Sequence, residues 1–257
     1  MSTAAQRWRE GLDAWAVPEQ IIGAAEENPW LHPPELFAVP EIVSASPSND
    51  RAREALPDRG AVLDVGCGAG RAAFALTPPA SHVIGVEHQA NMLERFEQNA
   101  TKRRVTCQVV HGDWPEVAEV TPSADVVTAH HVVYNVNDVV PFLRALQEHA
   151  HHRVVLELPH LHPLSSLNAA WQHFWQLERP EGPTSRNLLA VLDEMHIDAH
   201  SLDWRAPVRT TLTLDETAHF TRIRLCLPGA RESEVYDFLA QHPVPLERAL
   251  TTVWWDI

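Results

Sequence analysis

A run of apolar residues that leads directly into three closely spaced glycines is the feature that most constrains the fold of this chain. Residues 62–65 read Val-Leu-Asp-Val, and glycines follow at Gly66, Gly68 and Gly70. Glycine adopts positive φ angles and lets the main chain approach a ligand closely, because it has no Cβ. A helical pattern begins at Arg71, and the free N–H groups at a helix start attract anionic groups. This strand–loop–helix sequence predicts an α/β fold with a ligand at the loop.

The segment from about residue 50 to 160 alternates short apolar runs with helical patterns, which is typical of a parallel sheet. The predicted strands cover residues 61–65, 82–87, 105–111, 124–130 and 153–158. The predicted helices between them cover residues 71–76, 89–100 and 138–150, with a short turn at 115–120. The runs at 125–127 and 154–156 are apolar after their first residue, as expected for strands that are buried on both faces.

The second half of the chain is less regular. It predicts helices at 164–177, 184–196, 215–226 and 232–241, and strands near 200–205 and 252–255. The sequence therefore predicts a Rossmann-like, mostly parallel seven-stranded sheet with helices on both faces and helical cap additions. We expect residues 1–50 to form an N-terminal helical cap segment and residues 51–257 to form one domain. Within that domain, inserts at 160–183 and 211–246 are expected to cover the ligand edge.

Composition narrows the partners and the compartment. The 257 residues include 34 Asp and Glu against 20 Lys and Arg, a net charge of −14, which disfavours a nucleic-acid substrate. No apolar run approaches the ~20 residues that span a bilayer, and the N-terminus lacks a signal-peptide core. The three cysteines form no CxxC pair, and the histidine pairs lack the spacing of an HExxH metal site. We expect a cytoplasmic protein with no metal, membrane or nucleic-acid partner; its oligomeric state stays open.

The spacing of the glycine loop distinguishes between two nucleotide-binding families. A dinucleotide fingerprint, G-x-G-x-x-G, would place Arg71 where a small residue is needed. The spacing present here, Asp64-x-Gly66-x-Gly68-x-Gly70, instead resembles motif I of the class I S-adenosylmethionine-dependent methyltransferases.

Three further motifs carry this resemblance along residues 55–160. Glu87 ends the second predicted strand, where a carboxylate can accept both ribose hydroxyls. Asp113-Trp114 ends the third and looks like the family's adenine site. Residues 125–134 resemble the fourth-strand motif of the ubiquinone-biosynthesis-like branch, which places His130 beside the methyl group. The resemblance implies S-adenosylmethionine as cofactor, with binding residues Asp64, Gly66, Cys67, Gly68, Gly70, Glu87, His88, Asp113, Trp114 and His130.

The resemblance thus implies a methyltransferase that acts on a small-molecule acceptor. Ligands of open α/β sheets lie beyond the carboxyl ends of the strands, so the acceptor-side candidates are His131, Tyr134 and His160. Adjacent residues on an extended strand point in opposite directions, so we expect His131 to point away from His130. His131 could instead only cap a helix, and His160 could only hydrogen-bond within its loop. Two alternative functions stay open: a non-catalytic S-adenosylmethionine-binding protein and a nicotinamide-dependent oxidoreductase.

Overall fold

The computed structural model describes residues 2–30, 39–41, 45–208, 212–243 and 245–257, so parts of the predicted segments 1–50 and 211–246 lie outside the described residues. Its helices are α1 Ala4–Asp13, α2 Glu19–Ile22, α3 Pro47–Ala55, α4 Arg71–Ala75, α5 Ala90–Arg103, α6 Val139–His149, α7 Asn168–Trp175, α8 Ser185–Glu194, α9 Leu214–Arg224 and α10 Glu232–Gln241. Its strands are β1 Ala61–Val65, β2 His82–Glu87, β3 Thr106–His111, β4 Ala124–His130, β5 Ala150–Pro159, β6 His200–Pro207 and β7 Glu247–Asp256. Short 3-10 turns cover Ala118–Val120, Val133–Asn135, Pro163–Leu167 and Gly229–Arg231.

The strands form one seven-stranded sheet in the order β3-β2-β1-β4-β5-β7-β6. The first five strands are parallel to their neighbours, whereas β7 runs antiparallel to both β5 and β6. The predicted fold is therefore confirmed. The order reverses between β1 and β4, which is where the ligand crevice of a doubly wound sheet opens.

Helices cover both faces of the sheet. On one face, α1, α6 and α8 share a core with Leu63, Val127 and Leu156. On the other face, α3 packs over Val62 and Val126, α4 packs over β1 and its neighbours, and α5 packs over β2 and β3. Because alternate residues of one strand enter the two cores, β1 and β4 are apolar along most of their length.

A separate helical layer lies at the carboxyl end of the sheet. This cap consists of α2, α7, α9 and α10, whose buried residues form a cluster of their own that includes Ile21, Trp171, Val235 and Phe238. The chain enters it where β5 ends, and leaves it where β7 begins beside the end of β6. Buried Arg222 of α9 links the N-terminal segment of the cap to α10. The Arg222 guanidinium contacts Glu27 near the N-terminus and Glu232 at the start of α10.

The N-terminal helix α1 packs against α6 and α8 on the sheet face. Trp8 is fully buried, stacks on Tyr134 with ring centroids 5.5 Å apart, and donates from Nε1 to the Val136 carbonyl at 2.9 Å. Helix α3 runs across residue 50, the boundary predicted from the sequence. Within the described residues, no helix combines the length and apolar character that a bilayer crossing requires.

Candidate functional site

The three loop glycines all adopt positive φ, at +68° for Gly66, +51° for Gly68 and +95° for Gly70. A Cβ on Gly66 would lie 2.5 Å from a Val132 methyl carbon, and one on Gly70 would overlap the Phe74 ring. A Cβ on Gly68 would meet nothing within 4 Å. Gly66 and Gly70 are therefore required by close packing, whereas Gly68 faces open space at the point where a ligand would approach.

Asp64 supports this loop from beneath. Its carboxyl is 1% exposed and accepts hydrogen bonds from Thr128 Oγ1 at 3.0 Å and from the Ala73 N–H at 3.2 Å. Burial raises its pKa to about 7, because these two hydrogen bonds only partly offset the loss of water. Asp64 therefore joins β1, β4 and the start of α4 rather than facing the open side of the loop.

Glu87 lies at the tip of β2 and is bonded to the same loop. Its Oε2 accepts from the Gly68 N–H at 3.0 Å, and its Oε1 accepts from the Gln89 N–H at 3.1 Å. The exposed His88 places Nδ1 2.9 Å from Oε1. Cys67 is buried beside Gly85, and burial raises the pKa of its thiol. The structure thus brings Gly68, Glu87 and His88 together.

Asp113 and Trp114, the residues expected to contact the adenine, differ in exposure and in their contacts. Asp113 is exposed after β3, with its side chain at the open edge. The half-buried indole of Trp114 donates from Nε1 to the Phe142 carbonyl of α6 at 3.3 Å and meets the His149 ring edge-on. Trp114 is therefore anchored to α6, and only its remaining surface is available to a ligand.

At the end of β4, the expectation that the two histidines diverge is wrong. The register pairs His130 with Glu157, and the His131 N–H donates to the Glu157 carbonyl at 2.6 Å. The His131 side chain also reaches Glu157, with Nε2 3.1 Å from Oε1. The physical reason is that β4 ends at His130 and His131 has a φ of +62°, so the chain is no longer extended there.

Glu157 is a site residue that the sequence analysis missed. It is 4% exposed within β5, and its Oε2 lies 3.4 Å from Ser46 Oγ. Burial acts to raise its pKa, but His130 and His131 outweigh burial and hold the pKa well below its usual range. An acidic residue inside the apolar run 154–158 was the available signal.

Tyr134 is buried behind the edge of the sheet. Its hydroxyl donates to the Pro159 carbonyl at 2.9 Å, and burial raises its pKa. The ring lies between Trp8 and His162, whose centroids are 5.5 and 5.2 Å away. Its acceptor role stays a prediction, and its contacts are those of a residue that joins α1 to the end of β5.

His160 directly follows β5 and lies close to three polar side chains. Its Nδ1 is 3.0 Å from Ser185 Oγ, 3.4 Å from Thr251 Oγ1 and 3.7 Å from Asp203 Oδ1. The His160 side chain is 27% exposed, so part of the ring faces the edge of the sheet.

Comparisons with known proteins agree with this architecture. Residues 62–153 match the sequence model of a family described as a methyltransferase domain. The structure is similar to the YcgJ protein of Bacillus subtilis, with a TM-score of 0.55 and 19% identity over 81% of this chain and 97% of that one. It is also similar to the BH2331 protein of Bacillus halodurans C-125, with a TM-score of 0.54 and 14% identity over 82% and 99% of the two chains.

A third similar structure is precorrin-8w decarboxylase of Methanobacterium thermoautotrophicum, with a TM-score of 0.50 and 12% identity over 89% of this chain and 97% of that one. At these identities the structural likeness concerns the fold. No curated protein matches the sequence.

Proposed function

We propose that this chain, whose residues 62–153 form a class I S-adenosylmethionine-dependent methyltransferase domain, transfers the methyl group to a small organic acceptor. The observation that carries the proposal is the open space over Gly68 together with the Glu87 carboxylate bonded to its N–H. A loop backbone and a strand-tip carboxylate are the groups that hold a nucleoside at a sheet of this kind.

The residues present fit the cofactor. Oε2 of Glu87 accepts one hydrogen bond from the described residues, from the Gly68 N–H, and a carboxylate oxygen has room for a second, whereas Oε1 contacts both the Gln89 N–H and the exposed His88 ring. Glu87 can therefore accept ribose hydroxyls without releasing the loop. We assign Gly66, Gly68 and Gly70 to the loop that carries the ligand, and Asp64 and Cys67 to its support.

The remaining cofactor assignments follow from position at the same edge. His88 and Asp113 are exposed next to the ends of β2 and β3, and Trp114 borders them. His130 ends β4, and we assign it to the cofactor's methyl group. When bound, S-adenosylmethionine supplies a methyl group on a positively charged sulfur, so the protein mainly has to align the acceptor and exclude water.

The acceptor site is proposed between the ends of β4 and β5 and the cap. His131 and His160 are the polar candidates there. The cap helices that follow β5 favour a small molecule as the acceptor, and the net charge of −14 disfavours the phosphate backbone of a nucleic acid.

Titration calorimetry with S-adenosylhomocysteine tests cofactor binding. The variant Glu87→Gln removes the charge that strengthens the ribose hydrogen bonds, so we expect its affinity to fall by about 10- to 100-fold. The exposed Glu94→Gln on α5 is the matched control and should bind as the wild type does. Binding of NADP in place of S-adenosylhomocysteine, or an unchanged affinity in Glu87→Gln, would refute the assignment.

Turnover needs its own assay. Formation of S-adenosylhomocysteine in the presence of small hydroxyl- or amine-bearing acceptors separates an enzyme from a protein that only binds the cofactor. The enzyme is contradicted if tight cofactor binding is never accompanied by transfer to any acceptor in a broad panel.

A further inference from the structure

The two histidines at the acceptor edge differ in which ring nitrogen is left for a substrate. In His131, Nε2 lies 3.1 Å from Glu157 Oε1 and 3.4 Å from Arg248 Nη2, and Nδ1 is buried. In His160, Nδ1 has all the polar contacts of the ring. Within the part of the chain that the structure describes, Nε2 of His160 makes no hydrogen bond. Of these two histidines, His160, whose side chain is 27% exposed, is therefore the one that keeps a ring nitrogen without a partner among the described residues.

The contacts of His160 come from three different elements. Ser185 is the first residue of α8, Thr251 lies in β7 and Asp203 lies in β6. Ser185 and Thr251 are each 1% exposed, whereas the Asp203 side chain is 61% exposed. The histidine is thus held between two buried hydroxyls, with a carboxylate on their solvent side.

This arrangement favours a proton on Nδ1 of His160 over one on Nε2. A carboxylate only accepts hydrogen bonds, and Thr251 Oγ1 donates to Asp203 Oδ1 at 2.7 Å. The negative charge of Asp203, 3.7 Å from Nδ1, favours a proton on that nitrogen. Because the single Thr251 hydroxyl proton is engaged with Asp203, Ser185 Oγ, 2.9 Å from Thr251 Oγ1, can donate to Thr251 and accept from Nδ1–H of His160 at 3.0 Å. With the proton on Nδ1, the Nε2 of neutral His160 carries a lone pair.

We propose that His160 is the catalytic base of the methyl transfer, that the acceptor atom is a hydroxyl oxygen, and that Ser185, Thr251 and Asp203 are positioning residues that fix the His160 tautomer. The inference rests on the proposed function. The acceptor O–H gives its proton to Nε2 as the oxygen bonds to the methyl carbon. The bond from that carbon to sulfur breaks, and its electron pair stays on sulfur, leaving a neutral thioether. His160 then releases the proton to solvent.

A hydroxyl is favoured over an amine on chemical grounds. A neutral amine attacks through its lone pair and needs no base before the carbon–nitrogen bond forms. An unionised hydroxyl is a weak nucleophile and gains most from a base that removes its proton during the attack. A base held in one tautomer by three side chains is therefore most useful to an oxygen acceptor.

Long-range proton–nitrogen NMR of the protein labelled at histidine nitrogen tests the tautomer without any turnover. We expect the Nδ1–H form of His160 in the wild type with S-adenosylhomocysteine bound. Thr251→Val and Asp203→Asn should give a mixture of the two tautomers, whereas Thr251→Ser should keep the wild-type form. His200→Gln, an exposed change on the same strand as Asp203, is the matched control. An Nε2–H form in the wild type, or no response to Thr251→Val, would overturn the proposal.

Turnover of two matched probes tests the base. With catechol, whose hydroxyls are un-ionised at neutral pH, we expect S-adenosylhomocysteine to form, and His160→Gln to lower kcat by about 10²- to 10⁴-fold with little change in KM. Thr251→Val should lower kcat less, and Thr251→Ser should restore it. Transfer to 1,2-phenylenediamine but not to catechol would contradict the oxygen acceptor, and a normal kcat in His160→Gln would contradict the role of His160 as base. If the variants instead lose binding of S-adenosylhomocysteine in calorimetry, the result contradicts the proposed cofactor site and not the role of His160.

Discussion

His131 contacts Glu157 through both its backbone and its side chain. The backbone N–H of His131 donates to the Glu157 carbonyl at 2.6 Å, and the ring Nε2 lies 3.1 Å from the Glu157 carboxylate. This double contact joins the carboxyl ends of β4 and β5, the two strands between which the acceptor site is proposed. The buried carboxylate is thus part of the framework of the site.

We expect Glu157→Gln to destabilise the protein by about 1–3 kcal/mol at neutral pH, the usual cost of weakening a charge-assisted buried hydrogen bond. The pKa of Glu157 is lowered in the folded state, so its ionised form contributes stability above the unfolded pKa of about 4.5. That contribution is lost as the pH falls towards the folded pKa. Urea unfolding at several pH values should show the wild type and variant converging in acid.

The exposed Glu148→Gln on α6 is the control for this comparison. A constant difference between wild type and Glu157→Gln across the pH range would show that the charge of Glu157 is not what stabilises the contact.

Gly68→Ala and Gly70→Ala are expected to fail in different ways. An alanine at Gly68 meets no neighbouring atom, so the cost to stability is only the positive-φ strain of about 1–2 kcal/mol. Its methyl group enters the ligand space, and the affinity for S-adenosylhomocysteine should fall at least about tenfold. An alanine at Gly70 overlaps Phe74 and should lower the melting temperature much more. Equal cofactor affinity in Gly68→Ala and the wild type would argue against a ligand over this loop.

The sheet and its ligand loop could be predicted because local patterns determine them. Strands β1, β2 and β4 begin and end at the predicted residues, since apolar runs bounded by helical patterns and glycines leave little choice. The cap is less predictable. Its helices bury Ile21, Trp171 and Phe238 together, and these residues are far apart in the sequence. The assignment to the ubiquinone-biosynthesis-like branch stays a prediction.

The details of the acceptor side could not be predicted for a similar reason. The approach of His131 to Glu157 depends on the positive φ angle of His131. A histidine in the sequence does not predict such an angle. The environment of His160 comes from Ser185, Asp203 and Thr251, which belong to three elements and come together only when β7 inserts beside β5. Strand order beyond the fifth strand carries no local signal in the sequence.

Asp64 should make the protein less stable as the pH rises. The pKa of Asp64 is about 7 in the folded state against its ordinary value of 3.8, because burial disfavours the charged carboxylate. Between these values the folded protein binds a proton that the unfolded chain has lost, so the stability conferred by protonated Asp64 is complete below about pH 4 and is lost by about pH 7. The loss is on the order of 4 kcal/mol.

The variant Asp64→Asn removes this ionisation and keeps a similar side-chain shape. The free energy of unfolding of the wild type, measured relative to Asp64→Asn, should therefore fall between about pH 4 and about pH 7. The exposed Asp58→Asn, in the turn before β1, is the matched control. A flat difference for Asp64→Asn would mean that Asp64 is ionised throughout that range.

Titration of His162 should change the stability of the protein in the opposite direction, so that stability falls as the pH falls. His162 is buried, its ring stacks on Trp15 at 4.0 Å, and its Nδ1 accepts from the Leu164 N–H at 3.3 Å. Burial, and secondarily the charge of Arg179, lowers its pKa from 6.5 to about 4. Above about pH 6.5 the His162 ring is neutral in both the folded protein and the unfolded chain. In acid the unfolded chain binds a proton at His162 that the buried ring of the folded protein does not bind. Stability is then lost between about pH 6.5 and about pH 4, on the order of 3 kcal/mol.

His162→Phe keeps an aromatic ring against Trp15 and cannot ionise. Loss of the hydrogen bond from Leu164 lowers its stability by the same amount at every pH, so only the slope reports the titration of His162. The wild type should lose on the order of 3 kcal/mol relative to His162→Phe between about pH 7 and about pH 4. The comparison cancels the opposite contribution of Asp64, because both proteins contain it. Exposed His151→Phe on β5 is the matched control, and a slope of that size there would show that the effect is not specific to the buried ring.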